Sequence, residues 1–349
     1  MKRITITTLL FTISFIMATA QEWPVANPEA RPSTRWWWLG SAVDKTNLTY
    51  NLEQYAKAGI GGVEITPIYG VQGNDANDIL FLSPEWMQML QYTQDEGKRL
   101  NIMVDMNTGT GWPYGGPSVS TEDAATKAIF QEYILQGDEQ LKESVEPTDE
   151  KHRTVASLSR LMAYSDKVQI LYLTGKVKNG KLDWIAPQGK WKLIALFNGK
   201  TFQMVKRAAP GGEGYVMNHL SAKAVDNYLH NFDKAFSINK VSYPHTFFND
   251  SYEVYGGDWT PELLDEFAKR RGYKLENYFP ELLDTTFING KRPEKTVRII
   301  SDYRETISEL LKENFTRRWT AWAHRNGNIN RNKAHGTAGL SLIRIPEPT

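Results

Sequence analysis

The chain has 349 residues, 41% hydrophobic and 23% charged, enough apolar material for a sizeable core, which excludes a minimal binding module and a mainly disordered chain. Its 41 Lys plus Arg against 40 Asp plus Glu give a net charge of +1, so no basic field exists to grip a phosphate backbone and nucleic acid is not an expected partner. Zero cysteines exclude disulfides and leave stability to the core or to a metal, while 11 Trp, 16 Tyr and 14 Phe supply flat apolar faces for core and ligand alike.

Met1, Lys2 and Arg3 precede an apolar run to Met17 and then Ala18, Thr19 and Ala20, the charged, apolar and small-residue parts of a secretory signal cut near Ala20. The run is shorter than the ~20 apolar residues that span a bilayer. A secreted, periplasmic or cell-surface bacterial protein with no transmembrane segment is therefore expected. Residues 21–131 read as three strand-to-helix units. A strand over 35–40 leads to a helix with Leu48, Leu52, Tyr55 and Ala56 on one face and Gly59 at its end. A second strand over 61–67 leads, after a long loop, to a helix opened by Ser83 as N-cap and Pro84 as first helical residue, running to about Leu100. A third strand over 102–107 enters a loop over 108–117 too rich in glycine for regular structure, which suits a ligand-facing end.

Residues 132–210 change texture. Strand-like stretches over 169–173 and 191–197, with the turn dipeptides Asn179-Gly180 and Asn198-Gly199, predict an inserted antiparallel β subdomain with hairpins. Helical periodicity returns at Ser221 within residues 211–336. There a fourth strand over 246–251 is followed by a helix opened by Thr260, Pro261 and Glu262 and closed at Gly272. A longer helix carries Ile299, Ile300, Tyr303, Ile307, Leu310, Leu311 and Phe315, and a short fifth strand covers 329–332. Residues 337–349 form an atypical tail without helical pattern. This order predicts an α/β chain: either a partial (β/α)8 TIM-type barrel of about five βα units carrying the inserted subdomain, or an open five-stranded α/β sheet. At about 31 residues per unit, three more units do not fit after Gly336, so the chain reads as incomplete.

In a parallel barrel the side chains at the carboxyl ends of the strands converge on one face, where such enzymes work. That rule selects Trp38, Glu64, Asp105, Asn107, Asn249, Asp250, Glu253, Asn332 and His335, with Trp112 in the glycine-rich loop. Paired carboxyls beside amides and aromatic rings suit glycoside hydrolysis, which needs one acid for the leaving oxygen and one carboxylate for water or the sugar. No nucleophile elbow, phosphate loop or zinc motif competes. On spacing alone Glu253 fits a helix-start carboxylate as well as a proton donor, and Glu64 and Asp105 fit structural ion pairs as well as ligand contacts. Asn249 with Asp250 fits a turn or a pair of calcium oxygens. Trp36, Trp37 and Trp38 alternate faces, so one or two of them belong to the core.

The blocks RWWWLG (35–40), AGIGGVEITPIYG (58–70), LSPEW (82–86), VDMNTGTGWPYGGP (104–117), GEGYVMNHLS (212–221), FFNDSYEVYGGDWTP (247–261) and RNKAHG (331–336) resemble the N-terminal half of glycoside hydrolase family 106, the α-L-rhamnosidases of plant-polysaccharide-degrading bacteria. The resemblance implies an exported (β/α)8-barrel hydrolase with β-rich accessory domains, releasing terminal α-L-rhamnose from plant polysaccharides or glycosides with inversion, and calcium associated with its site. It assigns Glu253 as the general acid, in a setting from Tyr252, Tyr255 and Trp259 that raises its pKa. The general base would come from a later strand, ~6.5–9.5 Å across the sugar, and no metal ligands are assigned. The expectation is a rhamnose-containing carbohydrate as substrate and no turnover by the isolated chain. The alternative is a non-catalytic carbohydrate-binding remnant or pseudoenzyme fragment.

Overall fold

The computed structural model describes residues 27–287 and 290–333. The expected signal (1–20), His335 and the tail (337–349) lie outside the described residues. Strand β1 (Ser33–Leu39), helix α1 (Lys45–Lys57), β2 (Gly62–Ile68), α2 (Pro84–Arg99) and β3 (Met103–Asn107) form the opening units. Each helix begins where a side chain accepts an otherwise unpaired backbone N–H. Asp44 accepts from Asn47 N at 2.9 Å, and Ser83 accepts from Trp86 N at 3.2 Å ahead of Pro84.

The chain then builds a second sheet from β4 (Thr126–Leu135), β5 (Ser157–Ser165), β6 (Ile170–Tyr172) and β7 (Trp191–Lys200), ordered β4-β7-β5-β6 and antiparallel. An antiparallel sheet is therefore present in this part of the chain, and its first strand begins at Thr126, ahead of 132. Asn179-Gly180 does turn a hairpin between Val177–Lys178 and Lys181–Leu182, both residues at positive φ. Asn198-Gly199 does not: both residues lie inside β7, opposite Ala128 and Lys127. Local turn chemistry is overridden there by pairing on both sides of the strand, and Gly199 leaves the space into which the Ile129 side chain fits.

Helix α3 (Ala222–Asn239), capped by Ser221, returns the chain to the first sheet at β8 (Thr246–Asn249). Helices α4 (Leu263–Arg271) and α5 (Glu294–Leu310) follow; α5 runs through a π-helical stretch, Leu311–Arg317, into α6 (Arg318–Arg325) and then β9 (Ile329–Asn332). The first sheet is parallel throughout, in the order β1-β2-β3-β8-β9. The architecture is thus α/β with a parallel sheet and helices. No helix among the described residues is long and apolar enough to cross a membrane.

Strand alternation gives the parallel sheet two chemically different faces. Trp38, Ile65, Met106 and Phe247 pack against Trp86, Phe232, Trp319 and Trp322 of the helices in one core. A second core joins Met162, Ile194 and Leu196 of the antiparallel sheet to Leu264, Phe267, Phe279, Ile300 and Tyr303. That shared burial fixes the antiparallel sheet against α4 and α5. The opposite face of the parallel sheet is polar and holds the candidate site.

Candidate active site

Arg35 on β1 stands opposite Glu64 on β2, and Glu64 stands opposite Asp105 on β3, so alternation projects all three from one face. Arg35 Nε donates to Glu64 Oε1 (2.9 Å), and its Nη1 donates to Asp250 Oδ2 (2.7 Å) just beyond β8. From β9, Arg331 donates to Glu64 Oε2 and brings a second nitrogen to 3.3 Å from Asp105 Oδ2. Lys333 Nζ lies 3.2 Å from Asp250 Oδ1, and His245 Nδ1 lies 3.2 Å from Asp105 Oδ1. The two guanidiniums also lie over the Phe248 ring at 4.9 and 5.3 Å, with Arg35 over Trp37 at 5.0 Å. Buried carboxylates persist when paired and hydrogen-bonded, and here three of them meet two guanidiniums and an ammonium.

The electrostatic consequences follow. Burial pushes the Asp250 carboxyl up, but the Ser251 backbone N–H, Arg35 and Lys333 outweigh it and hold it below its ordinary value. The hydrogen bond to Asp105 lifts the His245 imidazole above its ordinary value against the opposing effect of burial.

Ser251 links this network to Glu253. Its backbone N donates to Asp250 Oδ1 (2.7 Å) and its hydroxyl donates to Glu253 Oε1 (2.9 Å). Tyr255 Oη donates to Glu253 Oε2 (3.1 Å), and Lys206 Nζ lies 3.5 Å from the same oxygen. Burial pushes the Glu253 carboxyl up, yet Ser251, Tyr255 and Lys206 together bring it below its ordinary value. The expected apolar, pKa-raising setting is therefore not what surrounds this side chain. Tyr252 is turned into the interior against His219, Trp259 is buried with its Nε1 on Asn198 Oδ1, and Tyr255 is a hydrogen-bond donor.

Among the remaining candidates, Trp112 sits near Glu253 through Lys206, since the backbones of Trp112 and Lys206 exchange hydrogen bonds of 3.1 and 3.0 Å. Asn107 is fully buried and its Nδ2 donates to Gly111 O (3.3 Å), securing the glycine-rich loop, while its Oδ1 accepts no hydrogen bond. Asn249 donates to Asn332 Oδ1 (2.7 Å), a clasp between β8 and β9. Trp38 is corrected: it is 1% exposed on the helix side of β1, and its neighbour Trp37, 42% exposed, shares the face of Arg35. Arg35, Lys206, His245, Arg331 and Lys333 escaped sequence reasoning. Counting alternation outward from Glu64 would have found Arg35, but the β9 cations need the strand register.

A calcium ion at this face would draw on the same carboxylates. Among the described residues no cluster of three or more His, Asp or Glu is placed to hold a metal ion. Asp250 already accepts from Arg35, Lys333 and Ser251, and Glu64 from Arg35 and Arg331. Cations in those positions repel a divalent ion, so these residues do not fit calcium.

The sequence profile of glycoside hydrolase family 106, alpha-L-rhamnosidase, matches residues 25–157 and 140–340. A curated relative from Formosa agariphila, named "Putative beta-glucuronidase", is 26% identical over 343 residues, spanning 86% of this chain and 29% of the relative. The structure of a rhamnosidase from Novosphingobium sp. PP1Y superposes with a TM-score of 0.74 at 17% identity, over 88% of this chain and 46% of that one. The chain thus spans less than half the length of either protein.

Proposed function

Because the chain belongs to glycoside hydrolase family 106, the alpha-L-rhamnosidase family, we propose that it forms part of an exported glycosidase that releases terminal α-L-rhamnose, with Glu253 as proton donor to the glycosidic oxygen. In this reading β1, β2, β3, β8 and β9 are five strands of a (β/α)8 barrel. The charged, apolar and small-residue succession of residues 1–20 supports export. One observation carries the assignment of Glu253. The side chains of Glu64, Asp105 and Asp250 are buried and locked by cations, whereas that of Glu253 is 30% exposed and its partners Tyr255 and Lys206 are themselves solvent-facing. It is the carboxyl of the four that a sugar can reach.

A depressed pKa leaves Glu253 ionised in the free protein, so the acid role needs a change on binding. A sugar that displaces Lys206 and covers the carboxyl removes a stabilising charge and strengthens desolvation, and both move the pKa upward. Arg35 and Arg331 act as positioning residues, holding the acidic face rigid under Trp37 and Phe248. Calcium enters no step, given the donor set.

A second reading, carbohydrate binding without turnover, is favoured by the same census of carboxyls. Inverting hydrolysis needs two working carboxyl groups, and these four contribute one that is open. The deciding test compares an alkyl α-L-rhamnoside and an alkyl β-D-glucuronide, whose leaving oxygens need protonation, with the protein and its Glu253→Gln variant. Rhamnoside release that drops by roughly 10²–10⁴-fold in the variant supports the proposal. Release unaffected by the substitution, or confined to the glucuronide, overturns it. Equal sugar affinity with turnover in neither protein selects the second reading for the 349-residue chain on its own.

A further inference from the structure

Away from the strand ends, a cavity of about 350 Å³ opens between the antiparallel sheet and helix α4. Arg160, Tyr172 and Thr174 line it from the sheet side, and Asp265, Lys274 and Glu276 from the helical side. None of them belongs to the Arg35 network or touches Glu253. The walls are held rigidly: Met162 and Leu196 share a core with Leu264 and Leu275, Tyr164 Oη donates to the Glu276 carbonyl, and Tyr172 Oη donates to Asn277 Oδ1 (3.2 Å). A site on such walls is organised before any ligand arrives.

Its chemistry is selective. Glu276 is 5% exposed, with Oε1 3.9 Å from Arg160 Nε and a buried Oε2 that accepts no hydrogen bond. A buried carboxylate oxygen without a donor is costly, and a ligand hydroxyl satisfies it once the Glu276 side chain turns that oxygen toward the cavity. Arg160 and Lys274 balance Asp265 and Glu276, so the lining has no net charge to attract an ion of either sign, and Leu264 and Ala268 add an apolar surface between them. An apolar ligand leaves the buried Glu276 carboxylate without a donor. Tyr172, 48% exposed with Lys274 Nζ 5.4 Å over its ring, adds an aromatic surface at the mouth. We infer that this cavity binds a neutral, hydroxyl-rich ring, a single sugar unit, as a second carbohydrate site built by the antiparallel sheet and α4. The inference uses this lining alone and does not depend on the assignment of Glu253.

The experiment measures binding of methyl α-L-rhamnopyranoside and methyl β-D-galactopyranoside by saturation-transfer NMR, with D-glucuronate and D-glucosamine as charged comparators. The proteins are the wild type, Tyr172→Ala, Glu276→Gln and Glu253→Gln. At least one neutral glycoside binds the wild type, and Tyr172→Ala and Glu276→Gln each weaken that binding by roughly tenfold with Glu253→Gln retaining it. Tyr172 is half exposed, so its variant tests the cavity even where Glu276→Gln is poorly folded. Equal binding by wild type and Tyr172→Ala overturns the inference, as does tighter binding of either charged sugar or binding of none. Loss confined to Glu253→Gln overturns it too, while leaving the catalytic proposal standing.

Discussion

Asp258 offers the sharpest test of how the loop carrying Glu253 is held. Its side chain is 6% exposed between the antiparallel sheet and α5, with Oδ1 accepting from Ala128 N at 3.2 Å and its carbonyl accepting from Tyr303 Oη at 2.8 Å. Burial raises its pKa from 3.8 to about 7, against the opposing pull of the Ala128 N–H. An acid whose folded pKa lies above its unfolded value binds more protons when folded. Its contribution is complete below the unfolded pKa and is lost as pH rises through about 7. A shift of roughly three units corresponds to ~4 kcal/mol at most, lost between about pH 4 and pH 8. Asp258→Asn keeps the Ala128 acceptor and cannot ionise. The variant should therefore gain on the wild type by up to ~4 kcal/mol, or roughly 8 °C in Tm, as pH rises across that window. His219 pulls the other way: burial lowers its imidazole to about 3, so its neutral form is disfavoured relative to the unfolded chain as pH falls below about 6.5. The informative quantity is consequently the difference between the two proteins, measured by urea unfolding at pH 5 and pH 8, in which the His219 contribution cancels. A difference that is the same at both pH values refutes the reasoning.

Three further outcomes follow from the site. Arg35→Met strips one partner from each of two buried carboxylates and should cost about 2–4 kcal/mol by urea unfolding. Arg35→Lys recovers only part of this, because an ammonium cannot fork between Glu64 and Asp250; full recovery by lysine contradicts the bridging geometry. Lys206→Met removes a cation 3.5 Å from Glu253, so the Glu253 carboxyl titrates higher in NMR of the labelled side chain; an unchanged or lower midpoint contradicts the assigned partners. Adding millimolar calcium or removing it with EDTA should leave Tm unchanged, whereas a site filled at 100 times its Kd stabilises by ~2.7 kcal/mol, so a rise of several degrees contradicts the donor-set argument.

The fold was legible wherever local chemistry and burial agree. Ser83 before Pro84, Ser221 before the α3 apolar stripe, and Gly272 at φ 77° after α4 all act as the spacing implies. The buried acids Glu64, Asp105 and Asp250 were legible as carboxylates at strand ends. Their partners were not, because Arg331 reaches Glu64 across 267 residues of sequence and only the β8–β9 register places it. Trp38 was misplaced for a related reason. Three consecutive tryptophans leave the inward face ambiguous, and pairing of Arg35 with Glu64 resolves it in favour of Trp37.

Asn198-Gly199 shows what a turn signature conceals. In mid-strand, Asn198 donates to Ser157 Oγ (3.1 Å) and accepts from Trp259 Nε1 (2.7 Å). A side chain of that kind is favoured in turns because it bonds nearby backbone, but here it bonds a neighbouring strand and the loop that begins with Ser251. The same loop is gripped from the antiparallel sheet at Ala128 through Asp258. Just past β7, the Gln203 amide donates to Glu253 O and accepts from Tyr255 N, both at 2.7 Å. The antiparallel sheet and the segment just past it are therefore the scaffold that positions Glu253, and Asn198, a polar residue with poor strand propensity, ties β7 to that loop through its amide.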